Sequence, residues 1–436
     1  MNDAHGSPAS GDRVAFLIIG GGFNNKGAEA MVLTVVEQLR MRWPLARVTV
    51  SSYAGSADAT PARDEGRDRF EYVRHSRGWS FPPRVFLLGF SLSPAAKERI
   101  AGDDRHLRAL GTTDVVIDIS GFAFSAQRSL MRRFVYCFEI WASRWLGVPF
   151  VAMTQAFGPF SAVTRLLARA SLPLAHLVVA RGNDSARHLR EAGVREFVQC
   201  ADMAYLFRGE TSDEGLRVLG EHGVPPGVPT FGIVPNINLY RQAGGQGRDN
   251  TYVQGLGRLA ALARELGAWP VFVCHEGYRD RQDDEWLARQ AIELSGVERS
   301  AVIPATYTAA RLKGVIAALS FVVACRFHSL VAAISTATPF LALGWSHKYH
   351  ELVEEAGEGS AWIDGRFTTP PEWCQRATDL WSQRNAMRAR LGDVTPRLEA
   401  SARLAFDVLA QRLGPAASTG VSAPPRPTPS DLPSAT

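Results

Sequence analysis

Phe321-Val-Val-Ala-Cys-Arg-Phe-His-Ser-Leu330 contains the fold in miniature. Phe321–Cys325 is a continuous apolar run of strand length, and the apolar helix Leu330–Ile334 opens directly behind Arg326 and His328. Phe340–Leu343 repeats the strand pattern and is followed by Gly344-Trp-Ser-His-Lys348. Strand, helix and second buried strand form a βα rhythm, the unit of a parallel sheet. The segment lies within the longest apolar stretch, Ala317–Trp345, which Arg326, His328 and Pro339 interrupt. A membrane span there would carry charges at mid-depth, so the stretch reads as core.

Working outward, the same rhythm covers most of the chain. Strand-like runs precede it at Val14–Ile19, Val48–Ser51, Asp114–Ile119, Phe150–Met153, Leu177–Ala180 and Phe197–Gln199. The rhythm breaks near Arg208–Pro229, where an amphipathic helix, Asp213–His222, runs into a Pro/Gly-rich sequence. It restarts with strands at Thr230–Val234, Pro270–Cys274 and Val302–Ile303 and helices at Tyr252–Leu266, Asp283–Ser295 and Ala309–Ala318. The expected fold class is α/β: two Rossmann-like βα lobes facing a cleft, a GT-B-like architecture, with C-terminal helices. The expected divisions are 1–12 and 414–436 as disordered tails, 13–207 as the N-terminal lobe, 208–229 as a linker, 230–370 as the C-terminal lobe and 371–413 as helices. Pro396 is expected to divide that last segment in two.

A chain of 436 residues and 47.5 kDa is too long for one ordinary domain. Mean hydropathy of −0.07 with 46% hydrophobic residues excludes wholesale disorder. The formal charge of +5 rests on 44 arginines and only four lysines, Lys26, Lys97, Lys313 and Lys348. Acids are scattered among the arginines, which argues for anion binding and against a nucleic-acid surface. Five separated cysteines fit neither a disulfide framework nor a zinc ribbon, and the first twelve residues lack the apolar core of a signal peptide. A cytoplasmic location is expected.

Ligands of parallel α/β sheets collect beyond the carboxyl ends of the strands. The first lobe presents Gly20–Glu29, Ser120–Ser125, Gln155–Pro159 and Arg181–Ser185 there, and the second presents Pro235-Asn236, His275-Glu276, Arg326–His328 and Ser346–Lys348. The glycine-rich turn fits neither nucleotide-loop fingerprint: Asn25 stands where a dinucleotide loop needs glycine, and Ala28-Glu29 follow Gly27 where a Walker loop needs Lys-Ser or Lys-Thr. Either a neutral hydroxylated ligand or a purely structural turn accounts for it. His275-Glu276 has acid–base chemistry but no partner at metal-ligand spacing, so no metal is expected. Arg326 and His328 sit at a helix N-terminus, where an anion is favoured, and Lys348 ends the next βα unit on the same rim.

Taken in order, the glycine turn with Asn25, Gly27 and Glu29, then Asp114–Ser125, Gln155-Ala-Phe-Gly-Pro159, Arg181 with Ser185, Ile233-Val-Pro-Asn236, Arg326-Phe-His-Ser-Leu330 and Gly344-Trp-Ser-His-Lys348 resemble the polysaccharide pyruvyl transferase family. The resemblance spans about Val14 to Gly365. It implies phosphoenolpyruvate as donor substrate, no cofactor, a pair of sugar hydroxyls as acceptor and a pyruvate ketal as product. It further implies an acceptor-side N-terminal lobe and a donor-side C-terminal lobe, with Arg181, His328 and Lys348 as catalytic residues and Arg181, Arg326, His328 and Lys348 as donor ligands. The chemistry agrees: a carboxylate and a phosphate need several cations, and arginine forks match both. Imidazolium, available near neutral pH and favoured by nearby anionic donor charge, suits His328 as the acid that protonates the methylene carbon.

Acceptor recognition is expected from Asn25, Glu29, Ser120 and Gln155, with Trp79 and Phe81 as sugar-stacking candidates and Arg241–Asn250 as a glycine-rich lid or surface loop. Expected partners are phosphoenolpyruvate, a sugar or lipid-linked glycan and the inner membrane face through peripheral contact, without nucleic acid. The competing readings are a nucleotide-sugar glycosyltransferase of the same architecture, with Glu276 on the ribose, and a non-catalytic glycan-binding member.

Overall fold

Two parallel sheets carry the chain in the computed structural model, which describes residues 14–53, 69–75, 85, 87, 88, 93–122, 124–126, 128–277, 282–297 and 299–414. Trp79, Phe81, residues 1–13 and residues 415–436 lie outside the described residues. The first sheet contains β1 (Ala15–Ile19), β2 (Arg47–Tyr53), β3 (Glu71–His75), β4 (Val115–Asp118), β5 (Phe150–Gln155), β6 (Leu177–Arg181) and β7 (Val198–Cys200). Its order is β3-β2-β1-β4-β5-β6-β7. The second contains β8 (Thr230–Val234), β9 (Trp269–Val273), β10 (Ala301–Ile303), β11 (Phe321–Ala324), β12 (Phe340–Gly344) and β13 (Trp362–Asp364), in the order β10-β9-β8-β11-β12-β13.

In each sheet the chain reverses its direction of travel once, between β1 and β4 and between β8 and β11. Adjacent connections there leave on opposite faces, opening a crevice at the strand carboxyl ends. The central strands are buried along their whole length, as β1, β4, β5, β8, β11 and β12 show, which is why they read as unbroken apolar runs.

The lobes touch directly. Asn25 forms an isolated antiparallel bridge with Glu276, and the Lys26 amide donates to the His275 carbonyl at 3.2 Å. Helix Ser212–Glu221, within the expected linker, packs against helix Ala309–Ala318 so closely that a Cβ on Gly215 would lie 2.0 Å from the Gly314 carbonyl oxygen. The C-terminal segment breaks at Gln383, giving helices Pro370–Ser382 and Arg384–Leu413, and the second runs through Pro396. The expected division at Pro396 is therefore wrong. Proline's ring crowds the carbonyl four residues earlier, here Gly392, while Leu391 and Leu398 on either side remain buried in the core. This long helix straps the lobes together. Thr395 donates to the Ile334 carbonyl of the second lobe, whereas Arg42 pairs with Asp407 and Arg412 donates to the His176 carbonyl of the first.

Candidate functional site

Arg181 ends β6, and its guanidinium pairs with the buried Asp202 carboxylate at 2.6 Å while lying 4.3 Å from the centroid of the Phe327 ring. Lys348 approaches the same ring from helix His347–Glu355, with its ammonium 5.4 Å from that centroid. Phe122, Trp345 and Tyr349 complete a four-ring surround at 5.1–5.6 Å. Aromatic faces stabilise a cation without consuming its N–H donors. Lys348 has no carboxylate partner among the described residues. Arg128 lies 5.4 Å from the Phe122 centroid and donates from Nε to the Phe122 carbonyl. Three cations thus share two phenylalanines, Phe122 of the first lobe and Phe327 of the second. Burial drives the Lys348 ammonium down to about 7, and Arg181 and Arg128 reinforce this against Asp202.

His328 occupies the second position of helix Phe327–Ser335, whose N-cap, Arg326, provides no side-chain cap. Its Nε2 is buried and makes no hydrogen bond to the protein. Burial pushes the imidazole down to about 4; Asp202 opposes the shift, and Arg181 and Lys348 add to it. Low polarity and two cations thus keep the ring neutral in the free protein, so the imidazolium expected of His328 depends on the charge of a bound anion. Gly27 faces this ring across the cleft, and a Cβ there would fall 2.0 Å from His328 Nδ1. The glycine-rich turn is therefore shaped for close approach to His328.

Arg326 stands apart from the cation group. Its Nε donates to the Pro235 carbonyl at 3.0 Å, and its two terminal nitrogens pair with Glu276 at 2.7 Å and the fully buried Asp284 at 2.5 Å. The two carboxylates overcome burial and raise the guanidinium well above its ordinary value. The Asp284 carboxylate also accepts from the His275 and Glu276 amides, both at 3.0 Å. His275 is driven down to about 3 by burial and Arg326, which keeps it neutral. Arg326 and the His275-Glu276 pair thus form a closed structural network beneath His328.

The four acceptor candidates all have local work. The Asn25 side chain caps helix Lys26–Arg42 through the Gly27 and Ala28 amides. Glu29 is buried, pairs with Lys26 at 2.8 Å and accepts from the Ala309 amide at 2.7 Å, so it caps a helix of the other lobe. Ser120 donates to Asp118 Oδ1 at 2.6 Å, and the Gln155 amide donates to Asp118 Oδ2 at 2.5 Å. Gln155 Oε1 nevertheless has no partner, nor has Oγ1 of its neighbour Thr154, whose φ of 40° is unusual for a β-branched residue. Strained residues beside orphaned polar atoms mark functional edges. The Arg241–Asn250 segment is pinned: Asn250 donates to the Tyr240 and Gly245 carbonyls, and the Gly247 amide donates to the Tyr240 hydroxyl. Among the described residues no cluster of three or more His, Cys, Asp or Glu side chains is arranged for a metal.

A second carboxylate group closes the lobe boundary below Arg181. Glu351 accepts from the Asp184 amide at 2.5 Å, and a Cβ on Gly182 would lie 2.3 Å from Glu351 Oε1 and 2.8 Å from Glu355 Oε1. Burial raises Glu351 to about 7 and, with the Glu351 charge, Glu355 to about 8. Carboxyls raised above their unfolded value contribute stability below that value and lose it as pH climbs through the folded one. Glu355→Gln is therefore expected to gain stability relative to wild type as pH rises from 5.5 to 8.5, read as a growing difference in Tm by calorimetry. A constant difference would place the Glu355 titration elsewhere.

Comparison with known structures identifies the architecture. UDP-GlcNAc 2-epimerase from Neisseria meningitidis, bound to UDP-GlcNAc, superposes with a TM-score of 0.54 at 10% identity over 91% of this chain and 99% of that one. Anabaena Alr3699/HepE, in complex with UDP and glucose, gives 0.53 at 14% identity over 91% and 98%. These likenesses establish a GT-B fold. No curated protein matches significantly. The family model described as Polysaccharide pyruvyl transferase matches residues 25–347, from the N-cap of the helix that faces His328 to the first residue of the helix that carries Lys348. With that match spanning most of both lobes, the chain belongs to the polysaccharide pyruvyl transferase family.

Proposed function

We propose that the protein transfers the pyruvyl group of phosphoenolpyruvate to two hydroxyls of a sugar, forming a cyclic ketal and releasing phosphate. The observation that carries this is the meeting of Arg128, Arg181 and Lys348 around Phe122 and Phe327, beside a neutral His328 with an unpartnered Nε2. Only Arg181 of the three cations has a carboxylate partner among the described residues. The helices beginning at Phe327 and His347 add N-termini without side-chain caps, and Ser346 Oγ is buried without a partner. This is a site for a compact, multiply charged anion.

The donor's carboxylate and phosphate neutralise the cations, and the same charge draws a proton onto His328. His328 delivers it to the methylene carbon, and a sugar hydroxyl adds to the cationic central carbon. The bond to phosphate oxygen then breaks under stabilisation by the cations, and the second hydroxyl closes the ring. Of the two hydroxyl protons released, one restores His328 and the other leaves with phosphate. Arg326 contributes by fixing the start of the His328 helix.

The nucleotide-sugar alternative needs Glu276 on a ribose, but Glu276 accepts from Arg326 and bridges to Asn25. Phosphate release from phosphoenolpyruvate across a glycan panel, with the mass of the product measured, tests the proposal. Uridine diphosphate binding without phosphoenolpyruvate binding overturns it.

Two protonation expectations follow from Lys348 near 7 and His328 near 4. Donor binding at pH 7.5 takes up between one and two protons, one by His328 and most of a second by Lys348, measured calorimetrically in buffers of different ionisation enthalpy. For the free enzyme, kcat/KM falls as pH rises above about 4, where His328 gives up its proton, and falls more steeply above about 7, where Lys348 loses its charge. Lys348→Arg removes the steepening above about 7 but lowers kcat, since a planar guanidinium does not fit the four-ring surround of a compact ammonium.

A further inference from the structure

Helices Leu130–Trp145 and Ala162–Ser171 follow β4 and β5 and pack on the sheet face opposite helix Lys26–Arg42. Arg133 joins them by donating to Thr164 Oγ1 and Ser161 Oγ. The first helix has two apolar faces. Tyr136, Cys137 and Ile140 turn into the core, while Leu130, Phe134, Trp141 and Trp145 are exposed. At 3.6 residues per turn, those four fall within an arc of about 60°. Met131, 71% exposed, widens the stripe, and Leu166, 69% exposed, continues the apolar surface on the neighbouring helix. A large aromatic stripe of this kind marks an interaction surface.

Charge identifies the occupant. Arg128, Arg132, Arg144, Arg165 and Arg169 are all exposed around the stripe, and none has an ion pair among the described residues. Glu139 is the sole acid in the two helices. A second copy seated about a twofold axis would bring arginine rim against arginine rim, a repulsive arrangement. We propose that this face docks on an anionic phospholipid surface, inserting Phe134 and Trp141 at headgroup depth while the arginines meet phosphates. Tryptophan favours that interface, and adjacent basic side chains add electrostatic attraction. Arg128 connects the surface to the cleft, because its guanidinium and the Lys348 ammonium share the Phe122 ring. Docking therefore holds the cleft mouth against the bilayer, where a lipid-borne acceptor would present its sugar. The surface itself stands whether or not the pyruvyl chemistry does.

The full chain is sedimented with vesicles of phosphatidylcholine and phosphatidylglycerol at 3:1, and with phosphatidylcholine alone. Expected is binding to the anionic vesicles that weakens in high salt and is poor on the neutral ones. The pair Phe134→Glu and Trp141→Glu is expected to cut the bound fraction by about tenfold with an unchanged thermal melt, since both side chains are exposed. Leu166→Glu, on the other helix, is expected to weaken binding separately. The proposal is overturned if wild type ignores the anionic vesicles or if the double variant binds as well as wild type. It is equally overturned by a micromolar dimer that the double variant dissolves, because the face then belongs to a second copy.

Discussion

His328→Ala is expected to reduce phosphate release from phosphoenolpyruvate by roughly a hundred- to ten-thousand-fold, the usual contribution of a positioned general acid. Donor affinity is expected to stay within a few-fold of wild type, because in the proposed site Arg128, Arg181, Lys348 and the two helix N-termini would supply the anion contacts. Stability is expected to change little. The ring makes no hydrogen bond through Nε2, and its removal relieves a close approach to Gly27. Single-turnover phosphate release and calorimetric donor binding, measured on the same sample, separate the two quantities. Retained turnover refutes the role of His328. A parallel collapse of donor affinity instead makes it a ligand. The mirror experiment is Gly27→Ala, which pushes a methyl group into the imidazole from the opposite lobe and should lower kcat by displacing the same ring.

Arg326→Met is expected to destabilise the second lobe by about 3–5 kcal/mol, because it removes the cation that pairs with the fully buried Asp284 and the half-buried Glu276. Asp284 is already raised to about 6 by burial even with Arg326 present. Removing the guanidinium raises it further, so the loss should be larger at pH 8 than at pH 5, where protonation relieves the stranded charge. Urea denaturation followed by far-ultraviolet circular dichroism at the two pH values measures both effects. If Arg326 instead served the donor directly, the variant would fold normally and lose donor affinity. The two variants, at positions two residues apart, thus test a structural role for Arg326 against the proposed chemical role of His328.

Much of the fold is legible because its central strands are buried on both faces. Phe321–Ala324 and Thr230–Val234 need no partner information to be recognised. The strands without a clear sequence signal, Glu71–His75 and Trp362–Asp364, are edges: β3 carries Glu71, Arg74 and His75, and β13 is three residues long and only partly buried. The rim positions of Arg181, His328 and Lys348 were readable because parallel topology sends every strand's carboxyl end to the same side. What each side chain does there was not. Arg326 and Asp284 are 42 residues apart, and Glu29 caps a helix 280 residues away. Such pairings are made by the docking of elements, and local pattern has no access to them. Arg128 carries no sequence signal for the related reason that it lies in a loop, one of 44 arginines, and gains significance only from the ring it shares with Lys348.

The cations around Phe122 and Phe327 come from both halves of the molecule, Arg128 and Arg181 from the first and Lys348 from the second. Like charges on facing walls push the halves apart, and a small dianion between them reverses the sign of that force. In the proposed reaction the donor therefore acts as an electrostatic rivet as well as a reactant. On that proposal its binding energy is partly spent on holding the walls together around His328, and phosphate release would remove the rivet just when the product must leave.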